Sequence, residues 1–404
     1  MVKSSTVAGT CPADMGGRRA VVLFIGFIGG NMIHELRLEG ARRFSRPFGW
    51  DVEVLRHQDS SPSRIRAAIA AIRPDGCLVD LSLVNSPMPR SIFGETPAVF
   101  FDLHSRRSCA SVANVLCDNA AVAETAFREL SSGLPPAYAV ATYRMRRLWA
   151  RERVAKFRSL CQEAGAQCSV LAERHGESPG GRAARIAAWA ASLPRNVAVF
   201  AVNDFTAKEV LDAFQSIGRH VPRSATVIGV DGLDARQEVA TSRISTIRLD
   251  FERTGYIGAR ILAEKMANAG EWRRDAFSAT FGPLMVIRRE STRGRGRSEP
   301  YILKAVDAIR REACDGLTAR ALAGRFPVSR NLFERRFREA TGHSVLDEIL
   351  HVRLEVAQSM LARPGMPIGA IADFSGFGTV RELRKLFRSR TGMSPRQWRA
   401  AHCR

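Results

Sequence analysis

Short apolar runs recur between residues 19 and 289, separated by stretches in which apolar side chains return at helical spacing. The runs predict eight strands, at Val21–Ile25, Asp51–Leu55, Gly76–Leu81, Ala98–Phe101, Ala137–Ala141, Gln167–Leu171, Val197–Val202 and Thr226–Val230. Helices are predicted between them. This alternation is typical of parallel sheets covered by helices, and it favours two doubly wound lobes that divide near Tyr143. The helix Phe251–Ala267 is expected to cross back to the first lobe.

After residue 300 the pattern becomes purely helical and repeats itself. A short helix, a tight turn and a second helix with one apolar stripe are predicted over Thr318–Arg338 and again over Ile368–Arg388. Ser329 and Thr379 are placed to cap the second helix of each unit. A spacer helix is predicted over Ser344–Met360. Two helices that meet at a tight turn are the arrangement that reads DNA, so the pattern predicts two readers on one spacer.

The charge of the chain supports this prediction. The formal net charge is +21, and residues 301–404 hold 19 Lys or Arg against 10 Asp or Glu, so the helical segment favours a polyanion. Base contacts are expected from side chains that point away from the two apolar stripes: Arg330, Asn331, Glu334 and Arg335 in the first unit, and Val380, Arg381, Glu382, Arg384 and Lys385 in the second. The alternative for each is a solvated helix face, with the glutamates paired to neighbouring arginines. Phosphate contacts are expected from Lys304, Arg338 and Arg388.

These residues resemble the DNA-binding domain of the AraC/XylS family of bacterial transcription regulators. The resemblance covers residues 301–404 and rests on Ala321, Leu322, Thr341, Gly342, His343, Arg353, Ala357, Ile371, Ala372, Gly376, Phe377, Gly392, Met393, Ser394, Pro395 and Trp398. The family usually has an aromatic side chain where this chain has Leu383. The resemblance implies double-stranded DNA as a partner, RNA polymerase as a second partner, and a homodimer.

Polar side chains follow several of the predicted strands. Asp102, Asn203, Asp204 and Asp231 stand at strand ends, and Arg151 opens a helix. Ligands of open α/β sheets bind beyond the carboxyl ends of the strands, and carboxylate, amide and guanidinium groups suit the hydroxyls of a neutral sugar. Aromatic stacking is expected from Trp149, Phe27 or Phe205. Each acidic or amide side chain could instead only cap the following helix.

The stretches Ala201–Ala207, Val227–Gly232 and Ile244–Gly258 resemble the ligand-binding domain of LacI-type repressors and periplasmic sugar-binding proteins. Chains that join this domain to an AraC-type reader form a subgroup similar to the xylose-operon regulators. The resemblance implies contacts to a small sugar from Asp102, Arg151, Asn203, Asp204 and Asp231, with a pentose such as xylose as the first expectation. The contributions of Phe27 and Asn31 and the choice of sugar stay open.

Several kinds of site are disfavoured. The eight cysteines are scattered without metal-ligand spacing, and no glycine-rich phosphate loop follows a strand, so we expect no metal, no cofactor and no enzyme activity. The apolar stretch Ala20–Gly30 is too short to cross a membrane and is interpreted as a buried strand, so we expect a cytoplasmic protein without a membrane partner.

The sequence therefore divides into four parts: a disordered tail over residues 1–17, a periplasmic-binding-protein-like domain over 18–289, a linker over 290–300, and a double helix-turn-helix domain over 301–404. The function expected is a transcription regulator whose DNA binding or activation is controlled by a sugar. Three alternatives are kept: a regulator of this fold that has lost sugar binding, a sugar-modifying α/β enzyme with a basic tail, and a DNA-compacting protein.

Overall fold

The computed structural model describes residues 18–26, 32–56, 61–80, 90–102, 113–133, 135–142, 148–171, 174, 176–232, 243–267, 278–292, 300–361 and 366–402. The predicted tail, the predicted break at Tyr143, and the side chains of Phe27 and Asn31 lie outside these ranges.

The first lobe is built on a six-stranded parallel sheet with the order β11-β5-β4-β3-β1-β2. Its strands are β1 (Val21–Gly26), β2 (Asp51–Arg56), β3 (Gly76–Asp80), β4 (Ala98–Phe101), β5 (Ala113–Cys117) and β11 (Ser278–Phe281). Helices α1 (Met32–Ser45), α2 (Pro62–Ile72) and α7 (Phe251–Ala267) belong to this lobe. The prediction that Phe251–Ala267 crosses back is confirmed, because α7 packs on α1 and on β3, β4 and β5.

The second lobe has a six-stranded sheet with the order β12-β10-β9-β8-β6-β7, in which only the β10–β12 pair is antiparallel. Its strands are β6 (Tyr138–Ala141), β7 (Cys168–Val170), β8 (Val197–Ala201), β9 (Ala225–Asp231), β10 (Ser245–Leu249) and β12 (Pro283–Ile287). Its helices are α3 (Asn119–Ser131), α4 (Leu148–Glu163), α5 (Pro179–Ser192) and α6 (Asp204–Ser216). The chain therefore crosses between the lobes after β5, after β10 and after β11.

The prediction of eight strands was too low, because β5, β10, β11 and β12 were missed. Asn114 in β5 and Ser245 and Thr246 in β10 interrupt the apolar runs, yet all three are buried. Hydrogen bonds compensate the burial in β10, where Ser245 N donates to Ser291 Oγ and Gly232 N donates to Thr246 Oγ1. An uninterrupted apolar run is therefore not necessary for a buried strand in this chain.

The C-terminal domain is all helical, as predicted. Its helices are α8 (Pro300–Glu312), α9 (Ala319–Ala323), α10 (Arg330–Thr341), α11 (Val345–Leu361), α12 (Ile368–Phe374), α13 (Val380–Thr391) and α14 (Pro395–His402). Two separate cores divide it: one holds Phe333 and Phe337, the other Leu383 and Phe387. The spacer α11 contributes to both cores, and so it joins the two helix-turn-helix units rigidly.

The predicted linker begins too early in the chain. Ser291 is buried and its hydroxyl donates to Val227 O, while Val227 N donates to Ser291 O at 2.7 Å. The ordered α/β domain therefore extends to Thr292, and α8 begins at Pro300.

The first helix-turn-helix unit is docked on the ligand domain. Met285 and Ile287 of β12 belong to the same apolar core as Phe333 and Phe337 of α10. Arg288 forms a buried ion pair with Glu129 of α3 at 2.6 Å. The second apolar core contains no residue of the α/β domain. The first unit thus contacts the ligand domain directly, whereas the second unit is connected to it through α11.

Candidate ligand cleft and DNA-reading surface

The carboxyl ends of the two sheets meet around one arginine. Arg153 of α4 is 4% exposed, and its guanidinium donates to Val202 O after β8 at 2.7 Å. It also donates to Asn119 Oδ1 at 2.9 Å and approaches Cys117 Sγ, at the end of β5, at 3.6 Å. The guanidinium lies over the Trp149 ring, 4.9 Å from its centre. Arg153 therefore joins the two lobes at the place where a ligand of such sheets binds.

The sequence prediction named Arg151 at this position, and the structure places it elsewhere. Arg151 is exposed, because it lies outside the buried stripe of α4 that contains Ala150, Val154 and Phe157. Arg153 falls on that buried face. A charged side chain within the apolar stripe of a helix was the signal that could have identified it.

Arg37 of α1 organises the first-lobe side of the cleft. Its side chain is fully buried and donates to both carboxylate oxygens of Asp80 at 2.9 Å, to Asp102 Oδ2, and to Thr254 Oγ1 at 3.2 Å. The guanidinium also lies 5.1 Å from the centre of the Phe101 ring. Although burial alone would lower the pKa of Arg37, Asp80 and Asp102 raise it above its ordinary value. This cation stays charged and fixes the ends of β3 and β4.

Asp102 makes more hydrogen bonds within the protein than its place after a strand suggested. One oxygen accepts from Arg37 and the other accepts from Cys117 N at 3.0 Å. Its backbone φ is +48°, in the left-handed region that is uncommon for residues other than glycine. Asp102 therefore lines the cleft with a carboxylate whose orientation is fixed, because both of its oxygens accept hydrogen bonds from the protein.

Asp231 faces this group from the second lobe. Burial raises the pKa of Asp231 to about 7; Asp102 adds to the rise, while Arg153 and Arg37 oppose it. Its φ of +112° is an uncommon conformation for a residue with a side chain. Burial also raises the pKa of the nearby Cys117 thiol to about 12, so this sulfur stays protonated. Asp102, Asp231 and Arg153 thus form a compact polar group between the lobes.

Asn203 and Asp204 have different positions. Asn203 Oδ1 accepts from Thr206 N at 2.9 Å, so this amide caps α6, which was the alternative considered for it. Asp204 is 2% exposed, and a Cβ added at Gly229 would lie 2.2 Å from its carboxylate oxygen. Asp204 is therefore packed between α6 and β9 and does not reach the cleft surface. Phe205 is 54% exposed at the same helix end.

Asp231 gives a testable dependence of stability on pH. An aspartate in an unfolded chain releases its proton near pH 4, whereas folded Asp231 retains it to about pH 7. Between these values the folded state binds more protons, so stability falls as the pH rises. Relative to Asp231→Asn, the wild type is expected to lose about 2 kcal/mol, roughly half the full value of the shift because Asp231 is partly exposed. Unfolding free energies of both proteins at pH 4.5 and 7.5 test this; parallel profiles would contradict it.

The two reader helices begin and end in the same way. Ser329 and Thr379 cap α10 and α13 by accepting from Leu332 N and Glu382 N, as the sequence predicted. Gly376 forms the corner of the second unit with φ +77°, and a Cβ there would lie 2.7 Å from Cα of Cys314. The glycine therefore permits the second unit to pack closely on the first.

The side chains predicted to contact bases divide into two groups. Seven of them are exposed or partly exposed on their helix and free of the apolar cores: Arg330, Asn331, Arg335, Arg381, Glu382, Arg384 and Lys385. Glu334 is half-buried, and its carboxylate lies 3.5 Å from Val345 N at the start of α11. Val380 is partly buried and packs against the second apolar core, so its base contact stays a prediction. As the first residue of α13 it lies on the side that faces the core.

Similarities to known proteins agree with this geometry. A model of the periplasmic binding protein-like domain matches residues 136–292, and a model of the helix-turn-helix domain matches residues 322–401. A protein of Streptomyces antibioticus named as an AraC-like transcription regulator is 28% identical over 104 residues, which is 26% of this chain and 34% of that protein. The chain joins a periplasmic-binding-protein-like domain to an AraC-type helix-turn-helix domain.

Relatives with both domains are also known. The xylose operon regulatory protein of Escherichia coli (strain K12) is 26% identical over 313 residues, which is 73% of this chain and 76% of that protein. The solved structure of a xylose-binding transcription activator has a TM-score of 0.56 at 22% identity and covers 96% of this chain and all of the other. The order of the ligand-binding and AraC-type domains is therefore the same over nearly the whole chain.

Two kinds of feature are absent from the described part of the chain. Among those residues, no helix is long and apolar enough to span a membrane. The same residues contain no group of three or more histidine, cysteine or carboxylate side chains arranged to hold a metal ion.

Proposed function

We propose that this protein is a DNA-binding transcription regulator whose activity is controlled by a small neutral sugar bound between the two lobes. The observation that carries the proposal is the direct docking of the first reader on the domain that contains the cleft. Met285 and Ile287 of the ligand domain share one apolar core with Phe333 of the reader helix. A movement of one lobe against the other would therefore also move the first reader helix.

The charges of the cleft support a neutral ligand. Arg37 is compensated by Asp80 and Asp102, and Asp231 offsets part of the charge of Arg153, so an anion such as a sugar phosphate would meet carboxylates as well as arginines. Hydroxyl groups can both donate to Asp231 and accept from an arginine. Relatives named for the xylose operon make a pentose such as xylose the first candidate.

Stacking contacts are proposed from two aromatic side chains. Trp149 lies beside Arg153 at the start of α4, and Phe205 is exposed at the start of α6. Both helices follow strands of the second lobe, so both rings are placed at the cleft. Asn203 caps α6 with its oxygen, which leaves its amide nitrogen available to a ligand.

DNA recognition is assigned to α10 and α13. Arg335 and Arg381 are proposed to contact guanine and Asn331 to contact adenine, since these pairings fit the major groove. Glu334 is proposed to assist at a cytosine only if its contact with Val345 N opens. The 17-residue spacer α11, about 25 Å long, holds the two readers on one side of a duplex. We further propose that the regulator acts in the cytoplasm as a homodimer and contacts RNA polymerase.

The DNA-binding half is tested by selecting duplexes from a random pool and then comparing three arginine variants. Arg381→Ala is expected to cost about 1 to 3 kcal/mol and to relax the preference at one base pair. Arg388→Ala is expected to weaken all duplexes equally and to lower the salt dependence by about one unit. Arg64→Ala, an exposed arginine on α2, is the matched control and should change nothing.

Two results would contradict this half of the proposal. A selection that returns no shared sequence, while binding still depends on salt, would favour a DNA-compacting protein. Equal losses for Arg381→Ala and Arg64→Ala would show that α13 does not read bases. Turnover of a sugar by the purified protein would instead favour an enzyme.

A further inference from the structure

Helices α1 and α7 of the first lobe are in direct backbone contact. A Cβ added at Gly255 of α7 would lie 1.8 Å from Arg37 O, and a Cβ added at Gly40 of α1 would lie 1.8 Å from Glu252 O. Helices in such contact have no side-chain layer between them and cannot slide without breaking this fit. The pair therefore moves as one rigid body, named here the α1–α7 pair.

One end of the α1–α7 pair lies at the cleft. Arg37 of α1 donates to Asp102 and also to Thr254 Oγ1 of α7 at 3.2 Å. The Thr254 hydroxyl in turn donates to Phe251 O at 2.7 Å in the first turn of α7. A change at Asp102 therefore reaches both helices through one buried guanidinium.

The C-terminal part of α1 and the first turn of α7 contact the DNA-binding domain. Arg43, about 9 Å along α1 from Arg37, donates to Arg310 O of α8 at 2.7 Å. Asp250, at the start of α7, lies 3.0 Å from the Arg310 guanidinium, which also pairs with Glu348 of α11 at 3.0 Å. Arg253 of α7 pairs with Glu355 of α11. These contacts hold α8 and α11, whose apolar side chains form the core of the first reader.

The first reader thus touches both lobes. It touches the first lobe through the α1–α7 pair, and it touches the second lobe through β12 and through Arg248, which pairs with Asp307 of α8 at 2.6 Å. Rotation of one lobe against the other cannot leave both sets of contacts unchanged.

We propose that the α1–α7 pair is the coupling element that transmits occupancy of the cleft to the first reader, with Arg37 as the positioning residue at the cleft end. The inference rests on the proposed function, since it names how the cleft controls the reader. When a ligand draws the lobes together, the pair moves with the first lobe, and its contacts to Arg310 and Glu355 shift α8 and α11 relative to β12.

A first test needs no ligand. Asp102→Asn weakens the pairing with Arg37, and the full chain is compared with wild type by amide exchange of Pro300–Glu312. We expect a change of about threefold or more in that helix. The same substitution should have a smaller effect there in an Arg253→Met background, because the contacts of Arg43 and Asp250 with Arg310 remain, and the full effect should return with Arg253→Lys. Lys208→Met, which removes an exposed ion pair on α6, is the control and should leave the response intact.

Each outcome decides the inference. A response of α8 that is equally large in Arg253→Met, or no response to Asp102→Asn in the wild-type background, would overturn it. Where Asp102→Asn does not fold, Thr254→Val removes the hydrogen bond from Arg37 together with the one to Phe251 O, and its effect on α8 is read in the same way.

A second test uses D-xylose as the probe and separates this inference from the proposed function. In the wild type we expect xylose to raise the thermal midpoint and to change amide exchange in α8. In Arg253→Met the midpoint should still rise, and the change of exchange in α8 should be smaller. A rise of the midpoint without any response of α8 would overturn the coupling and leave the sugar site. No rise would count against xylose, and the ligand-free test would still decide the coupling.

Discussion

Replacing Gly255 by alanine is expected to lower the stability of the α/β domain by about 3 kcal/mol, at the upper end for an overpacked core. The added Cβ would lie 1.8 Å from Arg37 O and 2.8 Å from Arg37 Cα. These are backbone atoms of α1 and cannot turn aside as a side chain would, so the two helices must separate. Chemical unfolding followed by circular dichroism should show the loss, and amide exchange should become faster in Met32–Ser45.

Gly180→Ala is the matched control for this prediction. Gly180 also lies inside a helix, α5, but a Cβ there would meet nothing within 4 Å. Alanine at such a position is expected to stabilise by about 0.4 to 1 kcal/mol, because the unfolded chain loses freedom. Equal effects at Gly180 and Gly255 would show that α1 and α7 are not in close contact.

Replacing Arg288 by alanine is expected to cost about 3 to 5 kcal/mol. The substitution leaves the Glu129 carboxylate, 6% exposed, without the guanidinium that binds both of its oxygens. Most of this cost comes from the unpaired buried charge and not from the lost attraction. The double variant Arg288→Met with Glu129→Leu should therefore recover most of the stability, although it lacks the ion pair altogether.

An exposed ion pair close by provides the control. Arg243 pairs with Glu290 at 2.8 Å, but their side chains are 63% and 41% exposed. Arg243→Ala is expected to cost less than about 1 kcal/mol, because solvent replaces the partner. The unfolding free energies of the wild type, of Arg288→Ala, of the double variant and of Arg243→Ala test both predictions. A double variant as unstable as Arg288→Ala alone would show that the pair itself supplies the stability.

Local patterns were enough to predict the helical domain. Ser329, Thr379 and Gly376 have their structural roles within a few residues of their own position in the sequence, as helix caps and as a corner. The same holds for the buried parallel strands such as Val197–Ala201, whose apolar runs need no information from distant residues. The fold class and the two readers could therefore be derived from the sequence.

Features that depend on distant partners could not be predicted. Strand β12 is recognisable only because it pairs antiparallel with β10 on one side and packs on the first reader on the other. Arg153 is stable on an apolar face only because Asn119 and Val202 accept from it. Asp204 looked like a ligand contact, yet the close approach of Gly229 buries it. In each case the deciding contact lies far away in the sequence.

The central claim is that a neutral sugar binds between the lobes of a DNA-binding regulator. The most direct test is thermal unfolding of the purified full chain against pentoses, hexoses and their phosphates. We expect one neutral sugar to raise the midpoint, corresponding to about 2.7 kcal/mol at a hundredfold excess over its dissociation constant. The shift should vanish in Asp231→Ala and persist in Arg64→Ala. If no sugar raised the midpoint of a protein that still bound DNA in a salt-dependent manner, the sugar-sensing half of the account would be wrong.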